Sequence, residues 1–248
     1  MIAEIHGKIS SDGSNLSERL EDKLTGDIFG SLRYLPYRKG LYQLLSGTKF
    51  LNNSHNQLFL ESINLVQEEY VYESFSFWQK RKHSEIDLVL DLGKSVLGIE
   101  VKYNSGLSSE NQLEREAFDL IQINKVVPKF LILVGVEPEV NFIVSQVNSR
   151  NKIPSTVIFG YLSWQDILER LITILYREEM TPPEKLIIQD MVHLLERKGF
   201  KRFKDFQNLN FLPIIKRESF FSIDQSEILF LTNFSKVHVE RTLYYEFK

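Results

Sequence analysis

Residues 85–102 read EIDLVLDLGKSVLGIEVK, two apolar runs separated by Leu92-Gly93-Lys94-Ser95. A glycine at the first central position of a two-residue connection is the chemistry of a tight hairpin turn. With Gly93 and Lys94 at the tip, Leu92 pairs with Ser95, and counting outward sets Asp87 opposite Glu100. Alternation then assigns Ile86, Leu88, Leu90, Leu92, Leu97, Ile99 and Val101 to one face, and Asp87, Val89, Asp91, Val96, Gly98, Glu100 and Lys102 to the other. The first face reads as core and the second as the carrier of a site.

Opposed residues on an antiparallel pair have Cβ atoms about 4.5–5.5 Å apart, and like charges there are destabilising, so Asp87 and Glu100 need a neutralising partner. A divalent cation is the natural candidate. Two carboxylates let Mg²⁺ keep several waters, one of which can become a nucleophile. Lys102, on the same face, can orient that water or neutralise charge on a phosphate oxygen. On spacing alone a second reading stands beside this one: a solvated hairpin end, with Glu85 and Lys102 as an exposed cross-strand ion pair, because Glu-x-Lys is a common tripeptide.

Upstream, Asn15-Leu16-Ser17-Glu18 has the form of a capping box, and Leu16, Leu20, Leu24, Ile28, Leu32 and Leu35 recur at helical spacing until Pro36. A short helix is expected around Gly40 to Leu45, and YVYESFSFWQ (70–79) alternates as a strand. Downstream, the spacing predicts a helix over Glu110–Val126, a buried strand over Lys129–Val136, a helix over Val140–Arg150 and a strand over Thr156–Tyr161. Ser163-Trp164-Gln165-Asp166 caps a helix running toward Arg177. Strands alternating with helices after a hairpin indicate an α/β domain with a mixed central sheet. Thr181-Pro182-Pro183-Glu184 opens another helix, ending at Gly199, with strand-like stretches at Glu227–Thr232 and Val237–Phe247 beyond it. The expected division is a core over residues 1–177 and a C-terminal helix and strand extension over 178–248, packed on the core.

Composition bounds the function. Hydrophobic residues make up 43 % and charged residues 25 %, with 18 Phe and 10 Tyr, which excludes disorder and favours an aromatic-rich interior. There is no Cys, so disulfides and thiolate metal sites are excluded, and the five His show no close pair at ligand spacing, which argues against zinc. The start lacks a basic region followed by an apolar segment, and the longest apolar runs are too short to span a bilayer, so a cytoplasmic protein without membrane contact is expected. A net charge of −3 leaves any polyanion to be held by a local basic patch or through bound cations. Lys80-Arg81-Lys82-His83 is one such patch, at the rim of the same cleft. Arg197, Lys198, Lys201, Arg202 and Lys204 form another, interleaved with Phe200, Phe203 and Phe206; these phenylalanines read as core anchors, and a partner protein fits that surface as well as nucleic acid does.

The order of helix, hairpin with Asp and Glu-x-Lys, helix and strand resembles the PD-(D/E)XK nuclease superfamily, in a bacterial member. Asp87 and Glu100-Val101-Lys102 match its central motif, with Ile86 where the superfamily name has Pro. LSERLEDKLTGDIFGSLRYLP (16–36) is similar to the helix that bears a Glu in such proteins, and points to Glu21, with Glu18 as second choice because it has the capping role. The resemblance spans about residues 14–136. It implies a restriction-endonuclease-like fold, with Glu21, Asp87 and Glu100 holding one or two Mg²⁺ ions, for which Mn²⁺ substitutes. It also implies the Val101 carbonyl as an extra ligand, Lys102 positioning the attacking water, and Gln112 holding the substrate or the motif. Lys80, Arg81 and Lys82 would contact the nucleic-acid backbone. The implied activity is a Mg-dependent phosphodiester hydrolase, a DNA endonuclease in bacterial defence or DNA processing, acting as a homodimer where both strands are cut. The alternatives are a nuclease-like module that binds nucleic acid or protein without cutting, and a structural subunit of a larger assembly.

Overall fold

The structure, a computed structural model, describes residues 16–103, 106–107, 109, 111–150 and 153–201. Its elements in chain order are α1 (Leu16–Leu32), α2 (Leu41–Leu45), β1 (Lys49–Phe50), α3 (Asn53–Asn64), β2 (Phe75–Lys80), β3 (Glu85–Asp91), β4 (Val96–Val101), α4 (Gln112–Ile121), β5 (Lys129–Gly135), α5 (Glu137–Arg150), β6 (Val157–Ser163), α6 (Trp164–Leu175) and α7 (Pro182–Arg197). Six strands form one mixed sheet in the order β1-β6-β5-β4-β3-β2. Strands β4, β5 and β6 run parallel, and the pairs β2–β3, β3–β4 and β1–β6 are antiparallel. Helices cover both faces, so the class is α/β.

The hairpin register is the one the turn dictates. Leu88 pairs with Ile99, Leu90 with Leu97 and Asp91 with Val96, while Gly93 takes a left-handed φ of +74° at the tip. Leu92 and Ser95 close the turn by a backbone bond of 3.0 Å. Leu88, Leu90, Leu97, Ile99 and Val101 join α1, α3, α6 and α7 in the larger core. The second face is core as well. Val89 and Val96 pack under Leu113, Ala117 and Leu120 of α4 and Val140 of α5. Every residue of β4 is therefore buried, as expected for an interior strand with a parallel neighbour.

Alternation fails at one point. Ile86 joins the smaller core on the α4 side, away from the face of Leu88 to which strict alternation assigns it. The cause lies across the ladder. Phe77 pairs with Leu88 and Gln79 with Ile86, while the intervening Trp78, opposite Asp87, has a left-handed φ of 46° and leaves the regular ladder.

Several element ends differ from the sequence expectations. The expected strand over 70–79 begins only at Phe75, because Tyr72–Ser74 form a 3₁₀ turn. Helix α4 is shorter than Glu110–Val126 and ends at Ile121, where Ile123 and Lys125 turn toward β5. Helix α5 starts earlier than Val140, at Glu137. The capping box of α6 is formed: Ser163 Oγ accepts from Asp166 N at 3.0 Å, and Ser163 N donates to Asp166 Oδ2 at 3.1 Å. Thr181 and Glu184 do the same for α7, and Gly199 at φ +92° follows its end.

The compact unit that contains the sheet runs to Arg202, so α7 belongs with the sheet, burying Ile188, Met191, Val192 and Leu195 in the larger core. Phe200, expected as a core anchor, is buried there too. The side chains of Asn15 and Glu18, the residues Arg202, Phe203, Lys204 and Phe206, and the stretches Glu227–Thr232 and Val237–Phe247 lie outside the described residues. No helix among those described is long and apolar enough to cross a membrane.

Candidate metal centre

The C-terminal end of β4 is where the chain concentrates charge inside the protein. Glu21 reaches it from α1, where it lies on the buried stripe with Leu24, Thr25 and Ile28. Asp87 comes from β3 and Glu100 from β4. One carboxylate oxygen of each lies within 4.8 Å of those of the other two. Glu21 and Glu100 are buried, and Asp87 keeps partial exposure, which makes it the open side of the cluster.

Each carboxylate is oriented by named donors. Val101 N–H is captured by Asp87 Oδ2 at 2.9 Å, just past the last regular pair of the β3–β4 ladder. Tyr103 N–H donates to Glu21 Oε2 at 2.9 Å. Lys102 Nζ lies 2.6 Å from Glu100 Oε1 and 3.2 Å from Glu21 Oε1, tying α1 to the sheet. Gln112, buried at the start of α4, donates to Glu100 Oε1. Glu100 Oε2 is buried and has no hydrogen-bond partner.

A fourth carboxyl stands behind the first three. Glu116 on α4 is fully buried, with Gln112 and Glu100 as its polar neighbours. It faces Asp87 and Glu100, and burial with the Asp87 charge pushes its carboxyl up to about 8. Burial, then the Glu116 charge, holds Glu100 well above the ordinary carboxylate range. Burial and the Glu100 charge do the same to Asp87. Burial alone would lower the Lys102 ammonium, but Glu100 and Glu21 more than offset it and hold it above its ordinary value. Four carboxyl groups thus share one lysine, a deficit of positive charge at the centre of the protein.

The donor set fits a hard divalent cation. All the available ligand atoms are oxygens, Asp87 keeps partial exposure, and Glu100 Oε2 is a buried acceptor without a hydrogen-bond partner. Glu21, Asp87 and Glu100 are the residues that would hold such an ion. Val101 is wholly buried and contributes its N–H to Asp87.

The basic patch is partly committed to structure. Lys80, Lys82 and His83 are exposed, but Arg81 is half-buried and donates to Gln79 Oε1 at 2.7 Å. The turn that carries them is pinned by buried Asp119 of α4, which accepts from His83 N at 3.1 Å and from Ser84 Oγ at 2.7 Å. Arg115 points elsewhere, donating to Ser109 Oγ at 2.9 Å. From sequence, Glu116 follows Gln112 on the same helix and reads at least as well as part of an exposed polar helix end. Its signal was available: Gln112, Leu113, Glu116, Ala117 and Leu120 form one helical stripe, so a carboxyl at position 116 falls between two apolar residues.

Residues 59–149, from within α3 almost to the end of α5, match the family described as Domain of unknown function (DUF4143). The matched stretch carries Asp87, Glu100, Lys102, Gln112 and Glu116 and excludes Glu21. No curated protein and no solved structure matches the chain.

Proposed function

We propose that this protein is a metal-dependent nuclease with a restriction-endonuclease-like core of the PD-(D/E)XK type, hydrolysing phosphodiester bonds in DNA. The observation that carries the reading is the convergence of Glu21, Asp87 and Glu100 around Lys102, from a helix and two hairpin strands. Gathering carboxylates out of water is costly, and such clusters concentrate where a cation or a reaction uses them.

A bound Mg²⁺ supplies charge stabilisation at the phosphate and a water of lowered pKa. The protein's own part is arrangement. Val101 N–H and Tyr103 N–H fix the Asp87 and Glu21 carboxylates so that little reorganisation is needed. Lys102 spends two of its three N–H donors on Glu100 and Glu21, which leaves a third for a water or a phosphate oxygen. Substrate enters over Asp87, the partly exposed member, with Lys80 and Lys82 at the adjacent rim to meet the backbone. One site per chain makes a homodimer the means of cutting both strands, in a defence or DNA-processing role.

The test is cleavage of supercoiled plasmid, linear duplex, single-stranded DNA and RNA by the purified chain with Mg²⁺, Mn²⁺ or EDTA. Cutting that requires the metal supports the reading and names the substrate. No cutting on any substrate, or cutting that persists in EDTA, sinks it.

A further inference from the structure

A polar cavity of about 330 Å³ opens on the flank of the sheet far from the hairpin, between the end of α2, strand β1 and helix α6. Lys49, Arg170 and Arg177 line it, with Gln43, Gly47 and Thr173. Among the described residues, Lys49 makes the closest ion pair of the three cations, at 2.8 Å from Asp166 Oδ2. Arg170 is half-buried, and its Nη1 meets neutral acceptors alone, the Gln43 carbonyl at 2.9 Å and Ser46 Oγ at 3.0 Å. Arg177 donates to Gln43 Oε1 at 2.9 Å, and its carboxylate neighbour Glu179 is exposed and 3.6 Å away.

A guanidinium drawn partly out of water needs acceptors for its remaining N–H groups. Arg170 bonds to the end of α2 through one nitrogen of a group with five N–H donors, so anchoring that helix leaves much of its capacity unused. The position is also shaped for it. A Cβ at Gly47 would fall 1.8 Å from Arg170 Nε and 2.5 Å from Cζ, so any side chain there would drive the guanidinium out of place. The two carboxylates of the lining answer the arginines only in part: Asp166 is bonded to Lys49 and Ser163 and acts on Arg170 through its charge, and Glu169 is exposed. The lining itself sets Lys49, Arg170 and Arg177 against Asp166 and Glu169, with the exposed Glu179 outside it beside Arg177.

We propose that this cavity binds a phosphate or diphosphate group, with Arg170 and Arg177 as the gripping residues. The planar guanidinium fork matches phosphate oxygens in pairs, and the volume falls at the small end of ligand sites, suited to a nucleotide-sized molecule. The group can arrive on a free nucleotide or on the end of a nucleic-acid strand. The site is separate from the carboxylate cluster. Lys49 shares a lateral row with Glu100 through Tyr161 and Leu133, three strand spacings or about 14 Å across the sheet.

The test is calorimetric titration of the full chain in EDTA, which silences any metal site, with inorganic pyrophosphate, with ADP, and with a short single strand bearing either a 5′-phosphate or a 5′-hydroxyl. Saturable binding of pyrophosphate or ADP is expected, weakened tenfold or more by Arg177→Gln and by Arg170→Lys, which keeps the charge but loses the fork. Tighter binding of the phosphorylated strand than of the hydroxyl strand would name a nucleic-acid end as the source, and equal binding of the two would name the free nucleotide. Arg177 is part-exposed, so Arg177→Gln keeps the fold, as checked by circular dichroism, even where Arg170→Lys does not. Absence of binding by every phosphate probe, or wild-type affinity in folded Arg177→Gln, overturns the proposal.

Discussion

Lys102 Nζ stands 2.6 Å from Glu100 Oε1 with the two side chains only 7 % and 2 % exposed. Breaking a buried pair from one side leaves the other charge uncompensated and costs about 3–5 kcal/mol. Lys102→Met is therefore expected to lose stability of that order in EDTA, measured by urea unfolding. Mg²⁺ at millimolar concentration is expected to restore part of the loss, because it replaces the missing positive charge. A loss below about 1 kcal/mol would mean that the pair contributes as little as a surface ion pair.

Glu116 makes stability fall as pH rises. Its folded value of about 8 lies above the ordinary 4.5 because burial opposes its charge, so between those values the folded chain retains a proton that the unfolded chain has released. Stability declines wherever the native state binds more protons than the unfolded state. The contribution is fully present below about pH 4.5 and is lost as pH climbs to 8. Glu116→Gln keeps the shape and cannot ionise. In EDTA its stability relative to the wild type is expected to increase from pH 5 to pH 8, by an amount on the order of a few kcal/mol. Parallel stability curves for the two proteins would show that Glu116 does not titrate in this window.

Gly98 lets α4 lie close to β4. A Cβ there would come 2.8 Å from Leu120 Cδ1 and 3.1 Å from Cδ2. Gly98→Ala is expected to cost about 1–3 kcal/mol through overpacking. Leu120→Ala is expected to cost less in the Gly98→Ala background than in the wild type, because the smaller side chain relieves the clash. A double-mutant cycle by chemical denaturation reads this coupling, and strict additivity would contradict it.

The hairpin was legible from sequence because one Gly in a two-residue turn fixes the register, and register decides which residues share a face. Glu21 was pointed to by the resemblance to a Glu-bearing helix, with its place beside the leucine stripe favouring it over Glu18, and Asp166 and Glu184 were legible through their capping spacing. Three things escaped. Alternation cannot show that both faces of β4 are covered, because a strand with Gly98 and Glu100 on its second face also reads as half-solvated. The displacement of Ile86 depends on Trp78, a residue of another strand with an unusual backbone, and such a partner effect leaves no local mark. Glu116 was hidden by its neighbours in ENQLERE, whose polarity suggests a solvent-facing helix end until the stripe of Leu113, Ala117 and Leu120 is drawn.

The central claim is that Glu21, Asp87 and Glu100 form a divalent cation site, and calorimetric titration of Mn²⁺ into the metal-free protein and into Asp87→Asn tests it most directly. The account predicts saturable binding by the wild type that strengthens as pH rises, because the Asp87 and Glu100 carboxyl groups, held above their ordinary range, must give up their protons, with release of protons on binding. It predicts at least tenfold weaker binding by Asp87→Asn. No saturable binding by the wild type, or equal binding by Asp87→Asn, would contradict it.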